Sequence, residues 1–277
     1  MEKKCVDLDK CFQKYLKDWI QKNGEKYGSD MDKIEEMVPD IYEAYLQQPS
    51  RDFEGLTPIA YFAQFEDAGV LIDWLCEYDR QNVPVPDLLL DRIVELGKAS
   101  EPLLVQIVGN SGARTELRMT AGSMLQEMES TAPEKMYIKG IVQAKDPQDI
   151  LEMYAESLTN MGETVVEDMI SALAQAEEAG KDLFADILSN YPGHAEVLEL
   201  LLNRFDKHPE NRALYASYLA KYGDEAALSQ LYAAAADQRI NYLDYIEVVN
   251  AIEALGGEKP ADREFAGDPY YESLKNL

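Results

Sequence analysis

Cysteine and histidine are scarce in this chain, with three and two in 277 residues. Cys5, Cys11 and Cys76 are an odd set, and the only histidines, His194 and His208, lie far downstream of them. A zinc site needs thiolates about two to four residues apart plus further Cys or His ligands, so no metal site is expected. Both histidines flank turns, in Pro192-Gly193-His194 and Lys207-His208-Pro209, which disfavours imidazole acid–base catalysis. No stretch approaches the ~18 consecutive apolar residues of a membrane-spanning helix. The opening MEKKCVDLDKCF is charged and has no apolar core of a secretory signal, so a cytoplasmic location is expected. G-x-S-x-G, H-E-x-x-H and G-x-x-x-x-G-K-[ST] are all absent. Gly109-Asn110-Ser111-Gly112-Ala113-Arg114 resembles a phosphate loop only superficially: it lacks the lysine and follows a helical rather than a strand pattern. Asp262 to Ser273 lacks the oxygen ligands of a calcium loop, with Ala266 at the fifth position and Ser273 at the twelfth. The expectation is therefore a chain that is not an enzyme and that uses no cofactor.

Positive charge is the next shortage. Lys and Arg number 26 against 52 Asp and Glu, a net charge of −26. The imbalance grows along the chain: −3 over residues 1–50, −7 over 51–140 and −16 over 141–277. Such a field repels phosphate backbones and anionic lipid, which argues against nucleic-acid and membrane-surface partners. It favours a basic protein or peptide partner, although acidic side chains also serve simply to keep outer faces solvated.

What the chain does have is helical periodicity. From 165 to 255 apolar residues come in adjacent pairs four apart: Leu183/Phe184, Ile187/Leu188, then Val197/Leu198, Leu201/Leu202, Phe205, then Leu214/Tyr215, Tyr218/Leu219. One stripe suffices for a helix resting on a core. Doubled stripes give each helix neighbours on two sides, as stacking of successive helix pairs requires. Helix pairs restart near Pro147, Lys181, Pro209 and Tyr242. Upstream, residues 5–22 form an amphipathic helix, and a helix is expected from Met31 to about Gln48, capped by Ser29 or Asp30. Thr57 before Pro58 reads as an N-cap opening a helix through Phe65, and Phe53 and Leu56 are apolar loop residues expected to tuck against their neighbours. Asp146 is expected to cap the helix after Pro147.

The segment Leu96-Gly97-Lys98-Ala99-Ser100-Glu101-Pro102 through Val108 resembles a HEAT repeat, in which a small-residue turn ends one helix and a proline opens the next. The likeness extends over about 87–255, and residues 209–236 are similar to a tetratricopeptide helix pair, with Tyr, Gly and Ala near the crossing. The resemblance implies an all-α fold, a right-handed α-α superhelix of degenerate helix pairs. It implies an N-terminal helical cap over 1–50, an array over 51–255 and a capping tail over 256–277. It further implies a protein- or peptide-binding scaffold, with an enzyme or enzyme accessory of a lyase-like or glycosylase-like HEAT family, or a structural subunit of an assembly, as alternatives. Tyrosine is abundant, at 17 residues. Tyr215, Tyr218, Tyr222, Tyr232, Tyr242 and Tyr245 cluster among acidic residues of the C-terminal helices and are the candidate partner-binding residues.

Overall fold

The computed structural model describes residues 5–24, 31–261 and 263–274. It is all-α, and no strand occurs among the described residues. The helices pack as two compact units, Met1–Ala132 and Pro133–Leu277. The cut between them falls inside the stretch that the periodicity presents as one array. No described helix is long and apolar enough to cross a membrane.

The first unit contains α1 (Leu8–Asn23), α2 (Met31–Glu36), α3 (Val38–Leu46), α4 (Pro58–Ala63), α5 (Ala68–Gln81), α6 (Asp87–Glu95), α7 (Glu101–Val108) and α8 (Thr115–Glu127). The single helix expected over 31–48 is two, broken at Met37. Pro39 is the cause: its ring has no N–H to give the preceding turn and clashes with the carbonyl four residues back. Ser29 and Asp30, the expected caps, lie outside the described residues. Thr57 does cap α4, accepting from Ala60 N at 3.1 Å, and the helix stops at Ala63, two residues short of Phe65. Phe53 tucks in completely, but Leu56 remains 38% exposed at the loop surface.

Aromatic packing and one phenol organise this unit. Trp74 of α5 meets Tyr61 and Phe62 of α4 and Phe65 just beyond it, with ring centroids 5.2–5.6 Å apart. The Tyr78 hydroxyl accepts from Val6 N at 2.9 Å and donates to Val6 O at 3.1 Å, which pins the chain entering α1 to α5. Buried Arg118 of α8 donates its Nε–H to Val108 O at the end of α7, at 2.8 Å. The arginine thereby satisfies a carbonyl that the helix terminus leaves without an intrahelical partner.

The second unit contains α9 (Glu134–Gln143), α10 (Gln148–Met161), α11 (Val166–Ala172), α12 (Glu178–Leu188), α13 (Ala195–Lys207), α14 (Arg212–Tyr222), α15 (Leu228–Ala236), α16 (Tyr242–Ala254) and α17 (Pro269–Leu274). Helices α10, α12, α14 and α16 begin within three residues of the restarts visible in the sequence. Each of α12 to α15 packs on its successor or on the next helix but one: α12 on α13, α13 on α14, α14 on α16 and α15 on α16. Asp146 does not occupy the cap of α10, a position taken by Pro147; its carboxylate accepts from the Tyr154 hydroxyl at 3.0 Å instead. At least one member of each pair is buried, with Phe184, Leu188, Val197, Leu201, Phe205, Tyr215 and Leu219 all essentially inaccessible, whereas Leu183, Leu198, Leu202 and Tyr218 are half-buried and Leu214 is exposed, so the second stripe is only partly covered.

Two glycines are forced by close approach. Gly140 lies under the Tyr154 ring, which stacks on Tyr137 at 4.8 Å, and a Cβ at 140 would run into that ring. Gly180 in the first turn of α12 sits against the backbone carbonyl of Ile141, while Glu177 N donates to Val142 O at 3.0 Å, so α12 starts in direct backbone contact with the end of α9. In an open helix, Gly→Ala gains about 1 kcal/mol from propensity. At 180 the clash is with backbone and cannot relax cheaply, and such overpacking costs about 1–3 kcal/mol. Gly180→Ala is therefore expected to lower stability in urea unfolding by up to about 2 kcal/mol. A raised midpoint would refute the close approach.

Candidate functional site

The structure gathers charge around one residue, Arg204. It lies on the buried stripe of α13 beside Leu201 and Phe205 and is 1% exposed. Its Nη1 pairs with Glu178 and its Nη2 with Asp182, both carboxylates of α12, and Nη2 also donates to Glu178 O at 3.2 Å. From α14, the Tyr215 hydroxyl donates to the same Asp182 carboxylate at 2.5 Å. Three consecutive helices thus meet at one guanidinium. Glu178, Asp182 and Asp186 follow one another at four-residue spacing, so they share a face of α12 and form an acidic ridge. At one end of the ridge, His208 Nε2 lies 3.9 Å from Glu178, and its Nδ1 lies 3.0 Å from Glu210.

The electrostatics follow from this geometry. Lys181 Nζ, at 2.7 Å, and then Arg204 hold the Glu178 carboxyl down at about 2. Burial, reinforced by the hydrogen bond to Asp182, pushes the Tyr215 phenol up to about 12. Tyr218 is raised as well, first by burial and then by Asp186 beside it. Both phenols stay protonated at neutral pH, so they are donors facing carboxylates. Glu178 and Asp182 are paired with Arg204 and Lys181, while Asp186 beside Tyr218 and Glu210 beside His208 add two further carboxylates, so the ridge keeps a negative surplus.

Beside the ridge the surface turns apolar. Leu214, one turn before Tyr218 on α14, is 46% exposed, and Leu243 at the start of α16 is 49% exposed. Their chain neighbours are joined, since Ala213 N donates to Asp244 Oδ1 at 3.1 Å. The two leucines thus lie next to the residues that join the starts of α14 and α16.

The six tyrosines singled out by the sequence separate into three groups. Tyr215 and Tyr218 belong to the ridge, with rings 5.9 Å apart. Tyr222 is buried and its hydroxyl is committed to backbone, donating to His194 O at 2.6 Å and accepting from His194 N at 2.7 Å. Tyr232, Tyr242 and Tyr245 meet the C-terminal segment: Tyr232 donates to Glu258 O at 2.8 Å, Tyr245 to Ala261 O at 3.2 Å, and Tyr242 packs on Phe265 and Tyr271. The residues that composition did not single out are Arg204, Glu178, Asp182 and Asp186. Two signals carried them: an arginine three residues after Leu201 and seven after Val197, hence on the buried stripe, and carboxylates stepping by four. Among the described residues no group of three or more His, Cys, Asp or Glu side chains is placed to hold a metal ion. Comparisons with protein-family models, with curated proteins and with solved structures find no match for this chain.

The depressed Glu178 carboxyl sets a pH dependence. Its pKa is about 2 in the folded chain against 4.5 for the free group, so its contribution is complete above about pH 4.5 and is lost as pH falls toward 2. The side chain is 66% exposed, so solvent screening keeps the contribution small and the trend is the readout. The stability difference between wild type and Glu178→Gln is expected to be constant above pH 5 and to shrink between about pH 4.5 and 2 in acid titration of urea midpoints. A difference that grows on acidification would contradict the assignment.

Proposed function

We propose that the chain is a non-enzymatic, cytoplasmic scaffold built of degenerate helix pairs in a right-handed α-α superhelix. Its α12–α14–α16 face would receive a basic, amphipathic protein segment. The observation that carries this reading is an acidic ridge in surplus that meets α14 at Tyr215 and Tyr218, with exposed Leu214 one turn before Tyr218 and exposed Leu243 on α16, which is joined to the start of α14. Each part answers to one half of such a partner: carboxylates to Lys or Arg, leucines to an apolar stripe.

Magnitudes assign the roles. An exposed ion pair contributes about 0.2–1 kcal/mol, so the ridge chiefly steers association and selects the sign of the partner. Burying a leucine contributes about 1.5–3 kcal/mol, so Leu214 and Leu243 anchor the contact. Association itself costs several kcal/mol, which leaves an expected Kd in the range of about 1–100 µM.

The test uses a fluorescein-labelled peptide carrying leucine and lysine at helical spacing, and the same peptide with glutamate in place of lysine. Anisotropy is expected to show binding of the lysine peptide only, weakening about tenfold between roughly 50 and 300 mM salt. Leu214→Asp with Leu243→Asp, both at exposed positions, should weaken it by at least about a hundredfold. Equal binding of the glutamate peptide, or binding that ignores both substitutions, would overturn the reading.

A further inference from the structure

The stretch Asn82-Val83-Pro84-Val85-Pro86 makes a fixed wall by sterics. Asn82 ends α5 in the left-handed region, at φ 53°, and Val83 N donates back to Tyr78 O at 3.1 Å. Val83 and Val85 each precede a proline, whose ring disfavours helical backbone, so the chain stays out of helix until α6 begins. From the N-cap of α8, Arg114 reaches the end of α5, where its Nη1 donates to Asp79 O at 3.0 Å. The end of α5, this wall and the start of α8 line a cavity of ≈ 340 Å³ in the first unit. That volume falls in the range of small-molecule sites, roughly 300–1,000 Å³.

The lining is largely apolar, with Leu75 and Tyr78 of α5, Val83 and Val85 of the wall, and Leu117 of α8. Tyr78 keeps its hydroxyl on Val6, so it offers the cavity only its ring. Three lining residues are charged: Asp79, Arg114 and Glu116. One guanidinium thus serves two carboxylates, and it serves them loosely, lying 3.5 Å from Asp79 and 3.6 Å from Glu116. Such distances are beyond good hydrogen bonds. Neither carboxylate accepts a hydrogen bond from a described residue, although the Asp79 side chain is only 16% exposed. The carbonyls of Val83, Pro84 and Val85 accept none either. Against these acceptors the open donors are Val85 N, the Asn82 amide and Arg114 Nη2. A carboxylate taken largely out of water calls for a donor, and the surplus of acceptors and of negative charge calls for a cationic one.

We infer that this cavity binds a primary ammonium on a small apolar body, its N–H groups on Asp79 and Glu116 and its body on Leu75, Leu117 and the Tyr78 ring. The site belongs wholly to the first unit, so it stands or falls without the α12–α14–α16 face.

The test is isothermal titration of the full chain with phenethylamine, 2-phenylethanol, phenylacetate and ethylamine. Phenethylamine is expected to bind saturably, and the other three at least about tenfold more weakly. The alcohol loses the charge, phenylacetate reverses it and ethylamine lacks the ring. Asp79→Asn keeps the shape of the side chain and should cost about tenfold. Glu116→Gln, at an exposed position, should weaken binding about twofold and leave the unfolding midpoint unchanged. Should Asp79→Asn loosen the contact between α5 and α8, the ligand series and Glu116→Gln still decide. A chain terminus presents the same ammonium, so phenylalanyl-glycinamide is titrated as well. Tighter binding than phenethylamine assigns the site to a peptide N-terminus and weaker binding to a free amine, and both support the ammonium. Equal binding of 2-phenylethanol or phenylacetate, no saturable phenethylamine binding up to roughly 10 mM, or unchanged affinity in both variants would overturn the inference.

Discussion

The Arg204 guanidinium is the interaction on which the described architecture of the second unit turns. It sits where the apolar stripe of α13 would otherwise carry a leucine, and it reaches two carboxylates of α12 while Tyr215 of α14 closes onto one of them. An arginine taken out of water is costly unless its donors are met. Nη1 and Nη2 are met by Glu178 and Asp182; Nε is buried with no partner. Breaking such a pair leaves an uncompensated buried charge, so the three helices are held to one register more strictly than apolar packing alone requires. The same contact places the acidic ridge: Glu178 and Asp182 cannot leave their face of α12 without releasing Arg204.

Tyrosine serves several purposes in this chain, and burial decides which. Tyr78 and Tyr222 each close a two-way hydrogen bond onto a backbone peptide, fixing the entry to α1 and the turn before α13. Tyr137 and Tyr154 stack across α9 and α10, where Gly140 removes the side chain that would separate them. Tyr215, with a buried ring, and Tyr218, half-buried, each aim a hydroxyl at a carboxylate. A phenol serves all these ends because its body is apolar and its tip must find a partner.

Fold class was legible because doubled apolar stripes are unambiguous about helix. Thr57-Pro58 marked the start of α4, and the four restarts marked α10, α12, α14 and α16 to within three residues. The break at Met37 was hidden because Ile34, Ile41 and Tyr45 keep helical spacing across it, and only Pro39 betrays it. Asp146 misled for a local reason: its carboxylate answers the Tyr154 hydroxyl from two turns on rather than the backbone beside it. The candidate site was half legible. Tyrosine enrichment led to Tyr215 and Tyr218, but equally to Tyr222 and Tyr245, whose hydroxyls bond to backbone. Arg204 was missed because a lone arginine ordinarily reads as solvated, and its meeting with residues 22 and 26 positions earlier is a tertiary fact.

The most direct test of the three-helix tie is a double-mutant cycle at Arg204 and Tyr215, which meet on Asp182. Arg204→Met, Tyr215→Phe and the double variant would be compared by urea unfolding. The account predicts that the two changes do not add, with a coupling of roughly 1–2 kcal/mol, because either one alone disturbs the shared Asp182. Additivity within about 0.3 kcal/mol would show that the residues act independently and that Arg204 does not hold the three helices together.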